Sequence, residues 1–234
     1  MLELRDVSAF YGDSIALNAV SLRVRARQGV ALLGRNGAGK STLLKSVVGG
    51  GPVVRGSVRF DGHDLGGEPT HSRVRRGLAF VPEDRRIFPH LTVAENLEIA
   101  RHGARAGSDC HEVSRSCSLF PLLGDLLARK GTQLSGGQQQ VLAVARGLVA
   151  RPKCLLLDEP TEGVAPLIVA QMAEQIRHAC ALEGTALLVA EQNVWFARAC
   201  SEYVYVMDTG NIVFSGTWEE YDHQPEIAAR YLAL

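Results

Sequence analysis

The chain has 234 residues, of which 46% are hydrophobic and 21% charged, and this composition excludes a chain that is disordered throughout. Its length predicts one large α/β domain or two small ones. The 25 Lys and Arg residues balance the 25 Asp and Glu residues, so the formal charge is zero. Binding to a nucleic-acid backbone requires an excess of Lys and Arg, so this balance argues against nucleic acid as the main partner. A local basic patch remains compatible with it.

The sequence of the first quarter of the chain predicts a small sheet, followed by a strand, a loop and a helix. Loose alternation of apolar residues at 2–7 and 15–24, with a turn at Gly12-Asp13, predicts a short antiparallel sheet. The apolar run at residues 29–33 has the length of a buried strand. A glycine-rich loop joins it to a helix that begins at Lys40.

Helices are predicted for the middle of the chain. Apolar residues recur at helical spacing over residues 92–101, 113–127 and 137–150, and the last of these helices is predicted to begin near Ser135. Glycine- and serine-rich joints separate the three segments. We interpret residues 89–148 as a helical insertion.

Strands and helices alternate in the last third of the chain. Buried strands are predicted at residues 154–157, 186–190 and 203–207, and a helix at about 166–182 connects the first two. Such alternation is typical of a mainly parallel sheet that is covered by helices on both faces. The fold class predicted from the sequence is therefore α/β.

The sequence predicts neither a membrane-spanning helix nor an export signal. The longest apolar runs, such as residues 186–190, are strand-sized, whereas a membrane-crossing helix needs about 20 residues. Residues 1–6 lack the basic and apolar regions of a signal peptide, so we expect the protein to stay where it is made. Reduced thiols in a cytosolic protein are favoured over disulfides or zinc ligands, because no Cys-x-x-Cys pair occurs among Cys110, Cys117, Cys154, Cys180 and Cys200.

Residues 34–41, Gly-Arg-Asn-Gly-Ala-Gly-Lys-Ser, match the phosphate-binding pattern G-x-x-x-x-G-K-[ST] between a predicted strand and a predicted helix. Backbone N–H groups of such a loop surround a polyphosphate, because glycines permit close approach. A glycine-rich turn with an exposed lysine is the alternative, and the flanking strand and helix argue against it. Lys40 is expected to hold the β and γ phosphates and Ser41 to ligate Mg²⁺. The predicted phosphate-binding residues are Gly34, Asn36, Gly37, Ala38, Gly39, Lys40, Ser41 and Thr42.

A second motif ends the predicted strand at residues 154–157. This strand delivers Asp158 and Glu159 to the carboxyl edge of the sheet, where ligands collect in parallel α/β folds. Asp158 suits a contact to Mg²⁺, and Glu159 suits polarising an attacking water. Two acids at a strand end are common and alone would indicate nothing more than an exposed turn. Beside a phosphate loop, the catalytic interpretation is favoured.

The third motif is Leu-Ser-Gly-Gly-Gln at residues 134–138. A serine hydroxyl and glycine amides at a helix N-terminus can form a second anion-binding site, although a simple helix cap would also explain the serine. The phosphate loop, this signature and a strand ending in Asp-Glu occur here in the order found in the ATPase subunits of ABC transporters. The sequence resembles that family over nearly its whole length.

The resemblance implies one ABC ATPase domain over residues 1–234, with the fold of P-loop NTPases. The ATP-binding core with its N-terminal antiparallel β subdomain would comprise residues 1–88 and 149–234. The inserted α-helical subdomain would comprise residues 89–148 and carry the signature. The resemblance also implies ATP and Mg²⁺ as cofactors and ATP hydrolysis coupled to transmembrane transport.

In this family two ATPase subunits pack head to tail, and the signature of one closes over ATP held by the phosphate loop of the other. The resemblance therefore implies a dimer in which the partner's nucleotide meets Ser135, Gly136, Gly137 and Gln138. Tyr11 matches the aromatic residue that stacks on adenine, and Phe10 is the alternative candidate. The purely structural alternative is that Tyr11 is an ordinary aromatic residue of an edge strand.

Three positions depart from the commonest family pattern. Glu83 replaces a glutamine after Val-Pro, Ala165 replaces an aspartate that helps to pair the subunits, and Gln192 replaces a histidine. The resemblance implies that Glu83 contacts the nucleotide and Mg²⁺. It also implies that Gln192 acts in catalysis with Glu159 and Lys40. An amide can donate a hydrogen bond to the γ-phosphate but cannot become cationic as histidine can.

The segments that contain these departures resemble those of the ATPase subunit of branched-chain amino-acid importers. The urea and short-chain amide importers remain an alternative. In that branch two nonidentical ATPase subunits commonly work with two transmembrane permease subunits and, indirectly, a substrate-binding protein. The resemblance thus implies a peripheral protein on the cytoplasmic face of the inner (plasma) membrane, paired with itself or with a companion. Glu83 and residues 91–101 are expected to face the permease.

Two other classes of protein explain the sequence less well. A soluble ABC ATPase that acts on nucleic acid or ribosomes predicts a second cassette or long coiled-coil heptads, and the sequence has neither. A P-loop kinase of small molecules leaves residues 134–138 unexplained and requires a pocket for the phosphoryl acceptor.

Overall fold

The computed structural model describes residues 1–102 and 112–232. The strands found there are β1 Leu2–Tyr11, β2 Ser14–Val24, β3 Gly29–Leu33, β4 Val53–Phe60, β5 His63–Asp64, β6 Leu78–Val81, β7 Cys154–Asp158, β8 Ala186–Glu191, β9 Tyr203–Asp208 and β10 Asn211–Thr217. The α-helices found there are α1 Lys40–Val48, α2 Thr70–Arg75, α3 Val93–His102, α4 Val113–Leu119, α5 Gly136–Val149, α6 Pro166–Glu183, α7 Val194–Cys200, α8 Trp218–Asp222 and α9 Pro225–Tyr231.

The strands form two sheets. The smaller is antiparallel with the order β2-β1-β4-β5, as the alternation near the N-terminus predicts. The larger has the order β10-β9-β3-β8-β7-β6, and its neighbours are parallel except for β10, which runs antiparallel to β9. The α/β fold with a mainly parallel core sheet is confirmed.

Apolar side chains cover both faces of the larger sheet, because β3, β7 and β8 are buried at every position. Alternate side chains of these strands enter two different clusters. One cluster packs under α1 and the antiparallel sheet, and the other packs under α5, α6 and α7. Each leucine buried completely in these clusters contributes about 1.5–3 kcal/mol relative to an exposed side chain.

The middle of the chain is helical, with one error in the prediction. Helix α3 and helix α5 begin and end close to the predicted positions. The helix predicted at residues 113–127 is wrong beyond Leu119, where α4 ends, and a 3₁₀ helix follows at Pro121–Leu126. Pro121 forces the preceding Phe120 out of the helical region, to φ −126° and ψ 77°. Strand β6 and helices α2 and α7 were not predicted from the sequence.

The four cysteines within the described residues carry free thiols, as predicted; Cys110 lies outside them. Burial raises the pKa of Cys154, Cys180 and Cys200 to about 12, so these thiols are unreactive at neutral pH. In the part of the chain that the structure describes, no helix combines the length and apolarity that crossing a membrane requires.

Candidate functional site

Three strands of the larger sheet end at the same edge. In the register of β3 with β8, Leu33 lies opposite Glu191, and in the register of β8 with β7, Ala190 lies opposite Asp158. Because these strands are parallel, the residues that follow them emerge next to one another. Sheet topology therefore brings together the phosphate loop, the Asp-Glu pair and Gln192.

Glycines shape the loop between β3 and α1. Gly39 has φ +107°, a backbone conformation that other residues rarely adopt, and it directly precedes the helix. A side chain at Gly34 would lie 2.6 Å from the carbonyl oxygen of Met207, so only glycine fits there. Gly34 and Ala38, two residues of this loop, are both buried. The loop consequently turns tightly enough to present its N–H groups and the N-terminus of α1 to an anion.

Lys40 is the first residue of α1, and its side chain is only 3% exposed. Its Nζ donates hydrogen bonds to the carbonyl oxygens of Gly34 at 2.7 Å and Arg35 at 3.0 Å. The same nitrogen lies 2.9 Å from Glu159 Oε1, and the Glu159 side chain is 9% exposed. Lys40 and Glu159 thus form a buried ion pair across the phosphate loop.

Ser41 and Asp158 supply oxygen atoms next to this pair. Ser41 Oγ donates a hydrogen bond to Asp158 Oδ1 at 2.9 Å. Burial raises the pKa of Asp158, and the hydrogen bond from Ser41 opposes that effect. A hydroxyl and a carboxylate beside a phosphate loop are the hard oxygen donors that Mg²⁺ prefers.

Acidic groups are crowded at the mouth of the site. Burial, followed by repulsion from the nearby Glu162 carboxyl, raises the pKa of Glu83, and Glu159 and Asp158 add to the repulsion. Within residues 1–102 and 112–232, no group of three His, Cys, Asp or Glu side chains could hold a metal by itself. Carboxylates and a hydroxyl beside a phosphate loop fit Mg²⁺, which such sites bind partly by protein oxygens and partly by nucleotide phosphates.

Gln192 follows β8 and contacts two of the predicted site residues. Its Nε2 donates to Asn36 Oδ1 at 2.6 Å and to Glu159 Oε2 at 3.0 Å. Glu159 itself has φ +44°, a conformation that costs a non-glycine residue about 1–3 kcal/mol and that is frequent at functional sites. The Glu159 carboxylate is thereby fixed between Lys40 on one side and Gln192 on the other.

A cleft of about 550 Å³ opens over the phosphate loop. Its lining includes Asn36, Gly37, Gly39, Lys40, Ser41, Thr42, Glu83, Glu159 and Glu162. Of the predicted nucleotide contacts in the described part of the chain, seven do not line it: Gly34 and Ala38 of the loop itself, and Tyr11, Ser135, Gly136, Gly137 and Gln138. The structure therefore separates the predicted site residues into two groups.

The signature residues lie at the start of α5. Ser135 Oγ accepts a hydrogen bond from the N–H of Gln138 at 3.3 Å, and the Gln138 side chain accepts one from the N–H of Ser135 at 2.9 Å. This reciprocal cap fixes the helix N-terminus. The Arg85 guanidinium, which is hydrogen bonded to Gln139 and Gln140, lies beside Gly136.

Tyr11 lies at the end of β1 and is 45% exposed. Its ring passes above Gly51, since a Cβ built at Gly51 would lie 3.7 Å from Tyr11 Cε1. The alternative, Phe10, carries the Arg55 guanidinium at 4.9 Å from its ring centroid, which occupies one face of that ring. Tyr11 is therefore the better candidate for stacking, and its contact with adenine stays a prediction.

Three further residues of this region, Glu191, Thr161 and Asn193, were not among the predicted site residues, although Glu191 directly precedes the predicted Gln192. The Glu191 carboxylate accepts hydrogen bonds from backbone N–H groups on two loops of the site. An acid that directly ends a wholly apolar strand is a detectable signal. Its partners are visible only in three dimensions, because Thr161 is 30 residues away in sequence.

The comparisons with known proteins agree with this geometry. A family model described as ABC transporter matches residues 17–162. The High-affinity branched-chain amino acid transport ATP-binding protein BraG of Pseudomonas aeruginosa is 39% identical, with 99% of each chain covered. The Probable branched-chain amino acid transport ATP-binding protein LivF of Archaeoglobus fulgidus is 34% identical, covering 94% of this chain and 93% of LivF.

Among solved structures, an ATP-binding subunit of an ABC transporter superposes with a TM-score of 0.80 and 26% identity, covering 99% of this chain and 96% of that one. The fold and site define an ATP-hydrolysing cassette. The chain belongs to the ABC transporter family, as its ATPase subunit, and it is similar to the subunits named for branched-chain amino acids. Other similar proteins are named for different solutes.

Proposed function

We propose that this chain is the ATPase of an importer for branched-chain amino acids. The observation that carries the ATPase role is the cluster of Lys40, Glu159 and Gln192 beneath the cleft. The choice of solute is supported by the 39% identity to BraG, which extends over 99% of both chains. The urea and short-chain amide importers are the alternative.

The contacts of the site suggest a role for each residue in hydrolysis. Lys40 exchanges its ion pair with Glu159 for the β and γ phosphates, which releases the Glu159 carboxylate to polarise the attacking water. Gln192 lies within hydrogen-bond reach of Glu159 and is positioned to donate to the γ-phosphate. Ser41, Asp158 and Glu83 would hold Mg²⁺, which neutralises phosphate charge when it is bound.

The separation of the signature from the cleft supports a second ATPase subunit. Ser135 and its neighbours cap α5 away from the phosphate loop of their own chain, so a nucleotide in the cleft leaves its signature contacts to be supplied by another copy or a companion. Residues 89–148 would form the helical subdomain that presents this cap, and the rest of the chain the ATP-binding core.

Replacing Ser135 with alanine is expected to abolish ATP-driven pairing while ATP binding to the single chain remains. The change removes the serine hydroxyl from the proposed second anion site and also removes a helix cap, at a cost of about 1 kcal/mol. Nucleotide titration and size-exclusion chromatography with Mg²⁺ and ATP measure the two effects separately.

The matched control is Thr217→Ala, because Thr217 and Glu220 form the same reciprocal cap at α8. Both variants should lose comparable thermal stability, and only Ser135→Ala should lose pairing. Pairing of Ser135→Ala equal to that of Thr217→Ala would exclude the signature from the dimer contact.

A groove on the chain supports peripheral attachment to permease subunits at the cytoplasmic face of the inner membrane. It has a volume of about 510 Å³. Its lining combines the apolar strand β6, Val74, Ala100, Ala143 and Gly147 with the basic residues Arg75, Arg76, Arg85, Arg86, Arg146, Arg151 and Lys153. The loop that follows β6 carries Glu83, so a permease segment in the groove would contact the element that leads to the nucleotide.

Reconstitution with permease subunits in proteoliposomes tests the solute. ATP turnover of the complete transporter should rise when a substrate-binding protein loaded with leucine is added. It should rise much less when a substrate-binding protein loaded with urea is added. A larger response to urea would favour the alternative importer.

Mixing the chain with a companion ATPase tests the pairing of the subunits. Turnover no higher than that of either subunit alone would argue against a functional heterodimer.

A further inference from the structure

A buried carboxylate joins two loops of the site. Glu191 is the last residue of β8 and is only 2% exposed. Its Oε1 accepts a hydrogen bond from the N–H of Thr161 at 3.0 Å. Its Oε2 accepts from the N–H groups of Gln192 at 3.0 Å and Asn193 at 3.1 Å. One oxygen thus binds the loop after β7, and the other binds the loop after β8.

Both loops carry proposed site residues. The first loop begins at Glu159, the proposed catalytic carboxylate, and continues to Ala165. The second loop carries Gln192, whose amide contacts Glu159, and Asn193, whose side chain caps α7 by accepting from the N–H of Phe196. A displacement of either loop relative to the other would change the distance between Gln192 and Glu159.

The chemistry of the carboxylate suits this position. Burial raises the pKa of Glu191, and the hydrogen bonds from the two loops oppose that effect by favouring the charged form. An ionised carboxylate accepts on both oxygens. A glutamine side chain of the same size would offer one oxygen and one N–H₂ group, and the latter would face N–H donors on one of the loops.

We propose that Glu191 is a positioning residue that couples the loop after Glu159 to Gln192 and so fixes the Gln192 amide against the catalytic carboxylate. It acts through these neighbours and does not itself touch nucleotide. The inference rests on the proposed roles of Glu159 and Gln192. It predicts that disturbing Glu191 slows hydrolysis more than it weakens ATP binding, since the phosphate loop is built separately.

The variant Glu191→Gln tests the coupling in the full chain, measured alone and in the assembled transporter. We expect kcat to fall about tenfold or more while KM for ATP changes by less than about threefold. Glu191→Asp keeps two acceptor oxygens and should retain more activity than Glu191→Gln. The control is Glu202→Gln, because Glu202 also accepts from a backbone N–H, that of Gly29, at the opposite end of the sheet.

Hydrogen exchange gives a readout that does not depend on activity. In Glu191→Gln without nucleotide, the amides of Thr161, Gln192 and Asn193 should exchange faster than in the wild type, and those of the sheet core should not change. Unaltered exchange at these amides, or kcat equal to that of Glu202→Gln, would overturn the proposal. Faster exchange throughout the chain would overturn it too, since it would indicate a general loss of stability.

Failure of the underlying function can be distinguished from failure of this inference. If Glu159→Gln hydrolyses ATP like the wild type, the proposed role of Glu159 is wrong. The comparison of amide hydrogen exchange between Glu191→Gln and the wild type then still decides whether Glu191 links the two loops. If Glu159→Gln is inactive and Glu191→Gln is fully active, the hydrolytic role stands and the positioning role fails.

Discussion

Replacing Glu159 with glutamine is expected to stop ATP hydrolysis while leaving ATP binding intact. The carboxylate lies between Lys40 and Gln192 at the edge of the cleft, where it can polarise a water aimed at the γ-phosphate. An amide of the same size cannot accept the proton, so kcat should fall by about 100-fold or more. Phosphate release measures turnover, and nucleotide titration measures binding.

The loop backbone and Lys40 still hold the phosphates in Glu159→Gln, so the variant should accumulate as a closed dimer that size-exclusion chromatography detects with Mg²⁺ and ATP. Glu162→Gln is the matched control, because Glu162 lines the same cleft and its replacement removes the same charge. Turnover of Glu159→Gln equal to that of Glu162→Gln would remove Glu159 from its assigned role.

The elements around the candidate site that the sequence predicts correctly are local. The phosphate loop follows from an apolar run of strand length, a glycine pattern and a helix start within a few residues, and the structure has β3, the loop and α1 in that order. Asp158 is recognisable because it directly ends another apolar run. Parallel pairing then brings both strand ends to one edge of the sheet, as the alternation of strands and helices predicts.

The contacts that the sequence does not predict are distant in the chain. Lys40 and Glu159 occur in separate motifs, and no pattern in either motif indicates a direct ion pair. Strand β6 has only four residues and two of them are partly exposed, so its apolar pattern is weak. The error after Leu119 has a local cause, because the periodicity continued through Pro121 although proline and the residue before it disfavour an α-helix.

Replacing Lys40 with methionine is expected to abolish nucleotide binding and also to destabilise the nucleotide-free protein. Lys40 and Glu159 are 3% and 9% exposed, so the variant leaves a buried carboxylate without its cation and two loop carbonyl groups without a donor. Breaking a buried ion pair by removing one partner typically costs about 3–5 kcal/mol. Urea unfolding without nucleotide measures this loss.

The double variant Lys40→Met with Glu159→Gln separates the two effects. With the carboxylate neutralised, position 159 no longer carries an unpaired buried charge, so the free energy of unfolding should recover most of the loss seen in Lys40→Met. Nucleotide binding should remain absent, because the phosphates still lack the lysine. Equal stability of Lys40→Met and the wild type would mean that the ion pair contributes nothing to the resting fold, and the proposed exchange of Glu159 for phosphate at Lys40 would lose its structural basis.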